Sequence, residues 1–379
     1  MKEKILLLAD ANSTHIEKWA TALSYNGYTV GLFSFNKCID QWYTKHKNIS
    51  LIYEPEIAKD SSSLTNKLSY VTILPKLLKA IKQFEPDILH AHYASSYGLL
   101  GALSGFKPFV LSAWGSDIFE FPKKSFLHKQ LLKFNLKRAN MILSTSYAMK
   151  NELTLYTKKE IQVTPFGVDM NVFYPKNVKT KEEEQFIYIG IVKAIEDEYG
   201  LQTIIEATSI IKVHSPNLKF KLLLVGGGKR VDFYKKMVKN FSLEDCVIFT
   251  GKIPHSKITY YHNIIDIFLN VSIVNESFGV SVIEAMACQK PVIVTDALGL
   301  EEIVDEGNGI VIRKEDAIAL SKAILNLIAH PQYASHLARN GRMHVQKKYS
   351  FDKSLEIMVN LYGIVLKQNI IQVPNFCSL

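Results

Sequence analysis

The sequence has few of the features that form disulfide bonds or zinc sites, or that anchor a protein in a membrane. Its 379 residues include four cysteines and 12 prolines, and no two cysteines form a Cys-x-x-Cys pair. This spacing argues against a zinc site and a disulfide framework, and we expect a reducing, cytosolic compartment. No run of 18 uninterrupted apolar residues occurs, so no membrane-spanning helix is expected. The first apolar run ends at Asp10 without a small-residue cleavage site after it, which argues against a signal peptide.

Acidic residues are scarce in one part of the chain. Residues 107–159 hold 10 basic and 3 acidic residues, within a chain of net charge +9. Inside this segment, residues 119–140 alternate Lys and Arg with Phe and Leu at near-helical spacing, which is typical of a helix lying on an anionic membrane surface. A helix packed on its own sheet with a solvated basic face fits the same pattern. No nucleic-acid-binding motif accompanies the charge, so nucleic acid is not a predicted partner.

What the chain does contain is a regular alternation of short apolar, β-branched runs with segments of helical period. This alternation predicts parallel sheets covered by helices. One series of predicted strands precedes the polar stretch 171–185 and a second series follows it, so that stretch is the predicted linker. We therefore predict an α/β protein with two doubly wound sheets, in domains of residues 1–172 and 173–350.

The loop after the predicted strand 266–272 carries the most informative polar residues, because ligands of open parallel sheets bind beyond the carboxyl ends of the strands. Glu276 and Glu284 lie eight positions apart there. Residues 277–279 form a small-residue turn that opens a helix, whose free N–H groups favour a phosphate. Glu284 lies in an almost wholly apolar helix and needs a partner, which two sugar hydroxyls would supply. Exposed carboxylates on a surface helix fit the spacing equally well.

Two other motifs invite stronger interpretations than they support. The glycines 226–228 follow a predicted strand but lack the Gly-x-Gly-x-x-Gly spacing, so a nicotinamide-dependent oxidoreductase is not favoured. Close approach of the backbone to a nucleotide is explanation enough. His90 and His92 end another predicted strand on one face, yet no cysteine or carboxylate accompanies them, so we predict no metal site.

Residues 276–292 (ESFGVSVIEAMACQKPV) resemble the Glu-x7-Glu signature of glycosyltransferase family 4, whose members are retaining enzymes of the GT-B fold. Further segments match in the family's order: 164–169 (TPFGVD), 190–200 (GIVKAIEDEYG), 225–230 (VGGGKR), 249–254 (FTGKIP) and 305–312 (DEGNGIVI). The resemblance covers nearly the whole chain. It implies two Rossmann-like domains facing across a cleft, an N-terminal acceptor domain and a C-terminal donor domain, with residues 351–379 returning to the first.

The resemblance also implies roles for individual residues. Glu276 contacts hydroxyls of the donor sugar, Glu284 holds the nucleotide ribose, and Lys193 neutralises the leaving diphosphate, a role suited to a cation. The predicted donor-binding set is Gly190, Lys193, Lys252, Ile253, Glu276, Ser277, Phe278, Gly279, Val280 and Glu284. Within it, residues 277–280 place backbone N–H groups at the diphosphate, and Lys252 and Ile253 contact the base through their backbone.

The N-terminal half departs from the family at one position. Many relatives carry a histidine after the strand that ends at Ala113, where this chain has Trp114. Asp117 is the nearest carboxylate and is the predicted catalytic residue on the acceptor side, although a helix N-cap fits it equally well. Asn12, His15 and His92 are the other residues predicted to line that side.

The resemblance implies a retaining glycosyltransferase that moves a hexose-type sugar from a nucleotide diphosphate donor, a UDP-sugar, to a hydroxyl of a saccharide or lipid-linked saccharide. The predicted context is cell-surface polysaccharide or glycolipid synthesis in the cytoplasm, at the inner face of the membrane, with residues 119–140 in peripheral contact with anionic lipid. No cofactor and no catalytic metal are expected. The alternatives are a nucleotide-sugar epimerase or hydrolase on the same fold and a non-catalytic nucleotide-sugar-binding protein.

Overall fold

The computed structural model describes residues 3–55 and 69–372. For residues 69–72 and 369–372 it describes the backbone only. The chain forms two compact units, one of residues up to Pro165 together with the segment from Ser354, the other running from Phe166 to Lys353. We predicted a boundary after residue 172, but residues 166–172 belong to the second unit. Val168 connects this segment to the second unit through a parallel β-bridge with Ser350, near the end of that unit. The last seven residues of the predicted returning segment lie outside the described residues.

The first unit contains a seven-stranded sheet. Its strands are β1 (Lys4–Leu8), β2 (Thr29–Phe33), β3 (Ile49–Tyr53), β4 (Ile88–His92), β5 (Phe109–Ser112), β6 (Met141–Ser144) and β7 (Ile161–Val163). Its helices are α1 (Thr14–Tyr25), α2 (Ser69–Phe84), α3 (Ser96–Ser104), α4 (Ser116–Phe119), α5 (Phe126–Arg138), α6 (Tyr147–Leu153) and, from Ser354 onward, α13 (Phe351–Gln372). All strand pairs are parallel in the order β3-β2-β1-β4-β5-β6-β7, so the direction of winding reverses between β1 and β4.

The second unit contains a six-stranded sheet of the same kind. Its strands are β8 (Ile187–Val192), β9 (Phe220–Val225), β10 (Val247–Gly251), β11 (Ile267–Asn270), β12 (Val292–Thr295) and β13 (Ile310–Ile312). Its helices are α7 (Leu201–His214), α8 (Val231–Asn240), α9 (His255–Ile264), α10 (Val280–Ala287), α11 (Ala317–Ala329) and α12 (Pro331–Lys348). The order β10-β9-β8-β11-β12-β13 is again parallel throughout, and the winding reverses between β8 and β11.

The central strands are apolar on both faces because helices cover both sides of each sheet. Every residue of β4, β11 and β12 is buried. Two strands, β3 and β7, were not predicted from the sequence. Both lie at edges of the first sheet and are partly exposed, so they lack the continuous apolar run that marks a central strand.

Among the residues that the structure describes, no helix is both long enough and apolar enough to cross a membrane.

Candidate active site

The loops after β8 and β11 lie next to each other, because these two strands are neighbours at the point where the winding of the second sheet reverses. Lys193 directly follows β8, and Glu276 lies in the loop between β11 and α10. Ligands of doubly wound sheets bind at this edge, outside the carboxyl ends of the strands. The topology thus brings together two residues that are 83 positions apart in the chain.

Lys193 and Glu276 form a largely buried ion pair. Nζ of Lys193 donates to Oε2 of Glu276 at 2.6 Å, and the side chains are 18% and 8% exposed. The ammonium also lies 4.7 Å from the centre of the Tyr199 ring, a cation–π distance. The second carboxylate oxygen, Oε1 of Glu276, is buried and has no hydrogen-bond partner among the described residues. A buried charged oxygen without a partner is costly, so this atom is a strong candidate to accept a ligand hydroxyl.

The backbone of Glu276 is fixed by the loop after β12. Its N–H donates to the carbonyl of Leu298 at 3.0 Å. Gly299 has a φ of +88°, and a Cβ there would lie 2.2 Å from the carbonyl oxygen of Glu276. Only glycine therefore permits this approach, which fixes the backbone from which the Glu276 carboxylate extends to Lys193.

The chain next turns into α10 through residues 277–279. Phe278 is buried and its ring packs edge-on against Tyr349, with centroids 5.4 Å apart. Gly279 precedes the first helical residue, Val280, and no side chain caps the helix. The backbone N–H groups at an uncapped N-terminus can bind an anion, which agrees with the predicted position of the diphosphate.

Glu284, one helical turn into α10, is paired with a residue that we did not predict. Nε2 of His262 lies 3.1 Å from Oε2 of Glu284, and the histidine is fully buried at the end of α9. The sequence does carry a signal: Thr259, His262 and Asn263 occupy the buried face of α9, where apolar residues are expected.

More buried polar atoms that have no partner among the described residues occur on the elements around this pair. They are Nδ1 of His262, both amide atoms of Asn270 at the end of β11, and Oγ of Ser281 in the first turn of α10. Such atoms are uncommon in folded proteins, where buried polar groups are nearly always bonded. Their occurrence on α9, β11 and α10 makes this part of the second unit a candidate ligand-binding region.

The glycines pack closely against neighbouring parts of the second unit. A Cβ on Gly190 would lie 2.6 Å from the side chain of Ile265. A Cβ on Gly226 would lie 1.9 Å from the carbonyl oxygen of Lys193, and one on Gly228 would lie 2.2 Å from that of Ile195. The triglycine segment therefore packs against the loop that carries Lys193, and the contacts of these glycines with a donor stay predictions.

Lys252 and Ile253 follow β10 beside this glycine segment. Gly251 has a φ of +72° and forms an isolated bridge with Gly226, and a Cβ on Gly227 would contact the Cβ of Lys252 at 3.3 Å. Lys252 itself is exposed. Lys252 therefore lies on the loop after β10, next to the glycine loop after β9 that contacts the backbone of Lys193.

In the first unit, Asp117 is fully buried and does not face an acceptor. Its carboxylate accepts hydrogen bonds from the N–H groups of Ala94 (2.5 Å), Gly115 (2.7 Å) and Trp114 (3.1 Å). Burial raises the pKa of the carboxyl group, and the three backbone donors oppose that shift. The prediction of a catalytic residue on the acceptor side is corrected accordingly: Asp117 joins the loops after β4 and β5. The N-cap interpretation also fails, because α4 begins one residue before Asp117.

His15, His92 and Trp114 form one ring cluster at the carboxyl ends of β1, β4 and β5. Trp114 lies edge-on to His15 (5.9 Å) and to His92 (5.2 Å). His92 stacks on His90 at 4.0 Å, as the strand alternation predicts. Both ring nitrogens of His92 lack a hydrogen-bond partner in the described part of the chain, and burial lowers its pKa to about 3. Tyr362 of α13 donates or accepts at Nδ1 of His90, at 2.6 Å.

Asn12 is exposed, but its side chain connects the loop after β1 to the loop after β2. Nδ2 donates to the carbonyl of Lys37 at 2.8 Å, and Oδ1 accepts from the N–H of Ile39 at 2.9 Å. These bonds shape the loop after β1, at the edge where the first sheet reverses its winding.

The basic segment folds mainly as α5. This helix has residues packed against its own unit and, at its start, exposed apolar and basic residues. Leu132, Asn135 and Leu136 are buried against the unit. Phe126 and Leu127 are 72% and 76% exposed at the start of the helix. Exposed lysines flank this apolar pair on both sides, at Lys123, Lys124 and Lys129.

No group of three or more His, Cys, Asp or Glu side chains that could hold a metal ion occurs in residues 3–55 and 69–372.

Two family models match the chain. Residues 4–146 match glycosyl transferase 4-like proteins, and residues 175–344 match glycosyl transferases group 1. The chain belongs to the group 1 glycosyltransferases. The predicted family and enzyme class are therefore confirmed, and the ion pair, the Glu284 pair and the α10 N-terminus all fall within the second matched segment.

Relatives of this glycosyltransferase align over most of its length. An uncharacterized glycosyltransferase of Methanocaldococcus jannaschii is 29% identical over 82% of this chain and 83% of its own. N-acetyl-alpha-D-glucosaminyl L-malate synthase of Bacillus anthracis is 24% identical over 84% and 85%. Alpha-monoglucosyldiacylglycerol synthase of Acholeplasma laidlawii is 21% identical over 79% and 80%.

Solved structures confirm the predicted fold class. Sucrose-phosphate synthase from Thermosynechococcus elongatus superposes with a TM-score of 0.80 at 21% identity, covering 97% of this glycosyltransferase and 100% of that chain. HepE of Anabaena, solved in complex with UDP and glucose, has a TM-score of 0.78 at 18% identity, covering 96% and 100%. The two Rossmann-like units are those of a GT-B enzyme.

Proposed function

We propose that this glycosyltransferase moves a sugar from a UDP-sugar to a hydroxyl of a saccharide or lipid-linked saccharide, with retention of anomeric configuration. The observation that carries the proposal is the Lys193–Glu276 pair at the reversal point of the second sheet, with Oε1 of Glu276 buried and without a partner among the described residues. The pair offers a cation and a hydrogen-bond acceptor at one place beside the uncapped start of α10.

In this mechanism the bond between the anomeric carbon and the diphosphate oxygen breaks, and the acceptor hydroxyl forms a new bond on the same face. The hydroxyl proton passes to the leaving diphosphate. Lys193 stabilises the charge that develops on that group, and the N–H groups of residues 277–279 share the task. The N–H group of Val280, predicted to belong to this set, donates to the carbonyl of Phe278 at 3.2 Å. Retention rests on the resemblance of residues 276–292 to the family-4 signature.

The same loops provide binding groups for the rest of the donor. Oε1 of Glu276 accepts a hydrogen bond from a hydroxyl of the sugar. Glu284 binds the ribose, and the backbone of Lys252 and Ile253 contacts the base. UDP is the proposed nucleotide because a structural neighbour, HepE of Anabaena, was solved with UDP and glucose.

The acceptor class is proposed from relatives and from the charge of the first unit. Relatives include a glucosaminyl malate synthase and a monoglucosyldiacylglycerol synthase, whose names specify a small acid and a glycolipid. The second name supports glycolipid synthesis, and a relative named as a capsular polysaccharide biosynthesis glycosyltransferase supports cell-surface polysaccharide. Asn12, on the loop after β1, and His15, in the first turn of α1, are the proposed acceptor-side residues that remain partly exposed.

Product analysis tests the reaction. Incubation of UDP-sugar with the enzyme and a saccharide acceptor is expected to yield UDP and a new glycoside with the anomeric configuration of the donor, read by proton NMR. Without acceptor, the UDP-sugar is expected to persist. An epimerase or hydrolase would isomerise or consume the donor alone, and a non-catalytic binding protein would leave both substrates unchanged.

We further propose that α5 places the first unit on the cytoplasmic leaflet of a membrane. Phe126 and Leu127 would enter the interface while the flanking lysines meet anionic head groups. Burial of two such side chains contributes about 3 kcal/mol or more.

Vesicle sedimentation tests this contact. The protein is expected to bind phosphatidylglycerol vesicles more tightly than phosphatidylcholine vesicles, and the Phe126→Ser/Leu127→Ser variant is expected to lose most of that binding. The matched control is Leu155→Ser/Val213→Ser, because these side chains are 64% and 73% exposed elsewhere on the chain. Equal binding by both double variants would contradict the proposal.

A further inference from the structure

The partner of Glu284 is the least expected feature of the second unit. Glu284 has one side-chain hydrogen bond among the described residues, from Nε2 of His262 to Oε2 at 3.1 Å. The histidine is fully buried, whereas the carboxylate remains 12% exposed. Oε2 of Glu284 is therefore hydrogen-bonded to a buried group, and Oε1 has no hydrogen-bond partner among the described residues.

The position of the imidazole is itself tightly determined. His262 lies in the last turn of α9, between the rings of Phe173 (5.8 Å, edge-on) and Phe268 of β11 (5.3 Å). A ring packed on two sides has one orientation available, so Nε2 is directed at a fixed point on α10. Nδ1 is buried and has no partner in the described part of the chain, which a residue selected for packing alone would avoid.

We propose that His262 is a positioning residue, which fixes the Glu284 carboxylate so that Oε1 is presented to the ribose hydroxyls of the nucleotide. This inference rests on the proposed function, in which Glu284 binds the ribose. Nε2 carries the proton of the bond, because the carboxylate oxygen can only accept. A carboxylate that is already oriented loses less rotational freedom when it binds, so the histidine increases affinity without touching the ligand.

Three substitutions separate this role from simple packing. His262→Gln keeps an N–H donor at a reach close to that of Nε2, His262→Asn has the same chemistry on a shorter side chain, and His262→Phe keeps the ring without the donor. The Gln and Asn variants form a matched pair, so the test holds even where the Phe variant fails to fold. Thermal unfolding of each variant provides the check on folding.

The measurement is the affinity for UDP relative to 2′,3′-dideoxy-UDP. The wild type is expected to prefer UDP by on the order of tenfold, as one hydrogen bond to a charged group warrants. His262→Gln is expected to keep that ratio, and His262→Asn and His262→Phe are expected to bring it close to one. In turnover, the Asn variant is expected to raise KM for UDP-sugar about tenfold with kcat unchanged, because ribose binding is the same in the ground and transition states.

The outcomes distinguish two failures. If the wild type prefers UDP and Glu284→Ala removes the preference, the ribose role of Glu284 stands; an unchanged ratio in His262→Asn and His262→Phe then overturns the inference alone. A merely structural histidine would weaken both nucleotides equally and leave the ratio intact. If the wild type binds both nucleotides equally, or neither, the ribose role of Glu284 and the inference fail together.

Discussion

At the scale of single residues, the second unit pairs each of two carboxylates with a basic side chain from another element. Glu276 is bonded to Lys193 after β8, and Glu284 is bonded to His262 at the end of α9. In each pair one carboxylate oxygen is occupied and the other has no partner among the described residues. The arrangement orients both acceptors before a ligand arrives, which is the form of preorganisation that favours catalysis.

Removal of the Lys193 ammonium tests the first pair. Lys193→Met is expected to lower kcat for sugar transfer on the order of 100-fold, because the leaving diphosphate loses the cation that stabilises its charge. Steady-state kinetics with a UDP-sugar checks this.

Lys179→Met is the matched control, since Lys179 also forms a short ion pair, with Asp266 at 2.5 Å, and its side chain is 15% exposed. This variant is expected to retain kcat. Equal losses in the two variants would mean that Lys193 supports only the fold.

The buried histidines of the first unit make stability depend on pH. Burial lowers the pKa of His92 to about 3, and burial together with His92 lowers that of His90 well below its usual range. Between pH 6.5 and 3 the unfolded chain therefore binds protons that the folded chain does not, so the free energy of unfolding falls as pH falls. Each of the two histidines lowers the free energy of unfolding by up to about 1.4 kcal/mol per unit of decrease in pH.

Urea unfolding at pH 7.5 and 5.0 checks this dependence. His92→Phe is expected to lose less stability between these two pH values than the wild type does. The exposed His255 is the control, and its substitution by Phe is expected to leave the difference unchanged. A wild-type stability that is constant from pH 7.5 to 5.0 would contradict the account.

At the scale of elements, the strand-end loops of the second sheet support one another through backbone contacts at glycine. Gly226 has a φ of +146°, and a Cβ there would meet the carbonyl oxygen of Lys193 at 1.9 Å. Gly226→Ala is expected to cost about 3 kcal/mol and to displace Lys193, with a corresponding loss of kcat. Chemical unfolding and kinetics measure the two effects.

Gly251→Ala is the matched control for that variant. Gly251 also has a positive φ, +72°, but no atom of the described residues outside its chain neighbours lies within 4 Å of its Cβ position. It is expected to cost about 1 kcal/mol from backbone strain alone. If the two variants are equally stable, the contact between the loops is not what requires glycine at 226.

The elements themselves were largely predictable, because periodicity is a local signal. The predicted strand 266–272 contains β11 (Ile267–Asn270) and extends beyond it by one residue at the start and two at the end. The loops were less predictable. Asp117 follows a strand in a small-residue loop, as an acceptor-side carboxylate would, yet it is buried beneath three backbone N–H groups contributed partly by another loop. Such long-range bonds leave no trace in local spacing.

The same limit explains which parts of the site were found. Residues 276–284 and Lys193 carry a family signature, so the resemblance identified them. His262 lies outside that signature, and only the packing of α9 against α10 brings it to Glu284, 22 positions along the chain. A polar side chain on the buried face of α9 was the available sequence signal.

At the scale of the whole molecule, the chain leaves the first unit at Pro165 and rejoins it from Ser354. In α13, Tyr362 is 1% exposed and its hydroxyl lies 2.6 Å from Nδ1 of His90 in β4. Tyr362→Phe leaves that nitrogen buried without a partner, which is expected to cost about 1–3 kcal/mol. Differential scanning calorimetry is expected to show a lower unfolding temperature, while the affinity for UDP, assigned to the second unit, stays constant.

Tyr147→Phe is the control for this substitution, because Tyr147 is 61% exposed in the same unit. It is expected to change neither quantity. A Tyr362→Phe variant as stable as the wild type would show that the hydroxyl does not hold α13 to the first sheet.

The most direct test of the central claim is a thermal-shift comparison of UDP, GDP, ADP and NAD on the wild type and on Glu284→Ala. The account predicts that UDP stabilises the wild type by about 2–3 kcal/mol at about 100 times its dissociation constant, and that Glu284→Ala loses this stabilisation. Stabilisation by NAD alone, or by none of the four ligands, would contradict a nucleotide-sugar site at Lys193, Glu276 and Glu284.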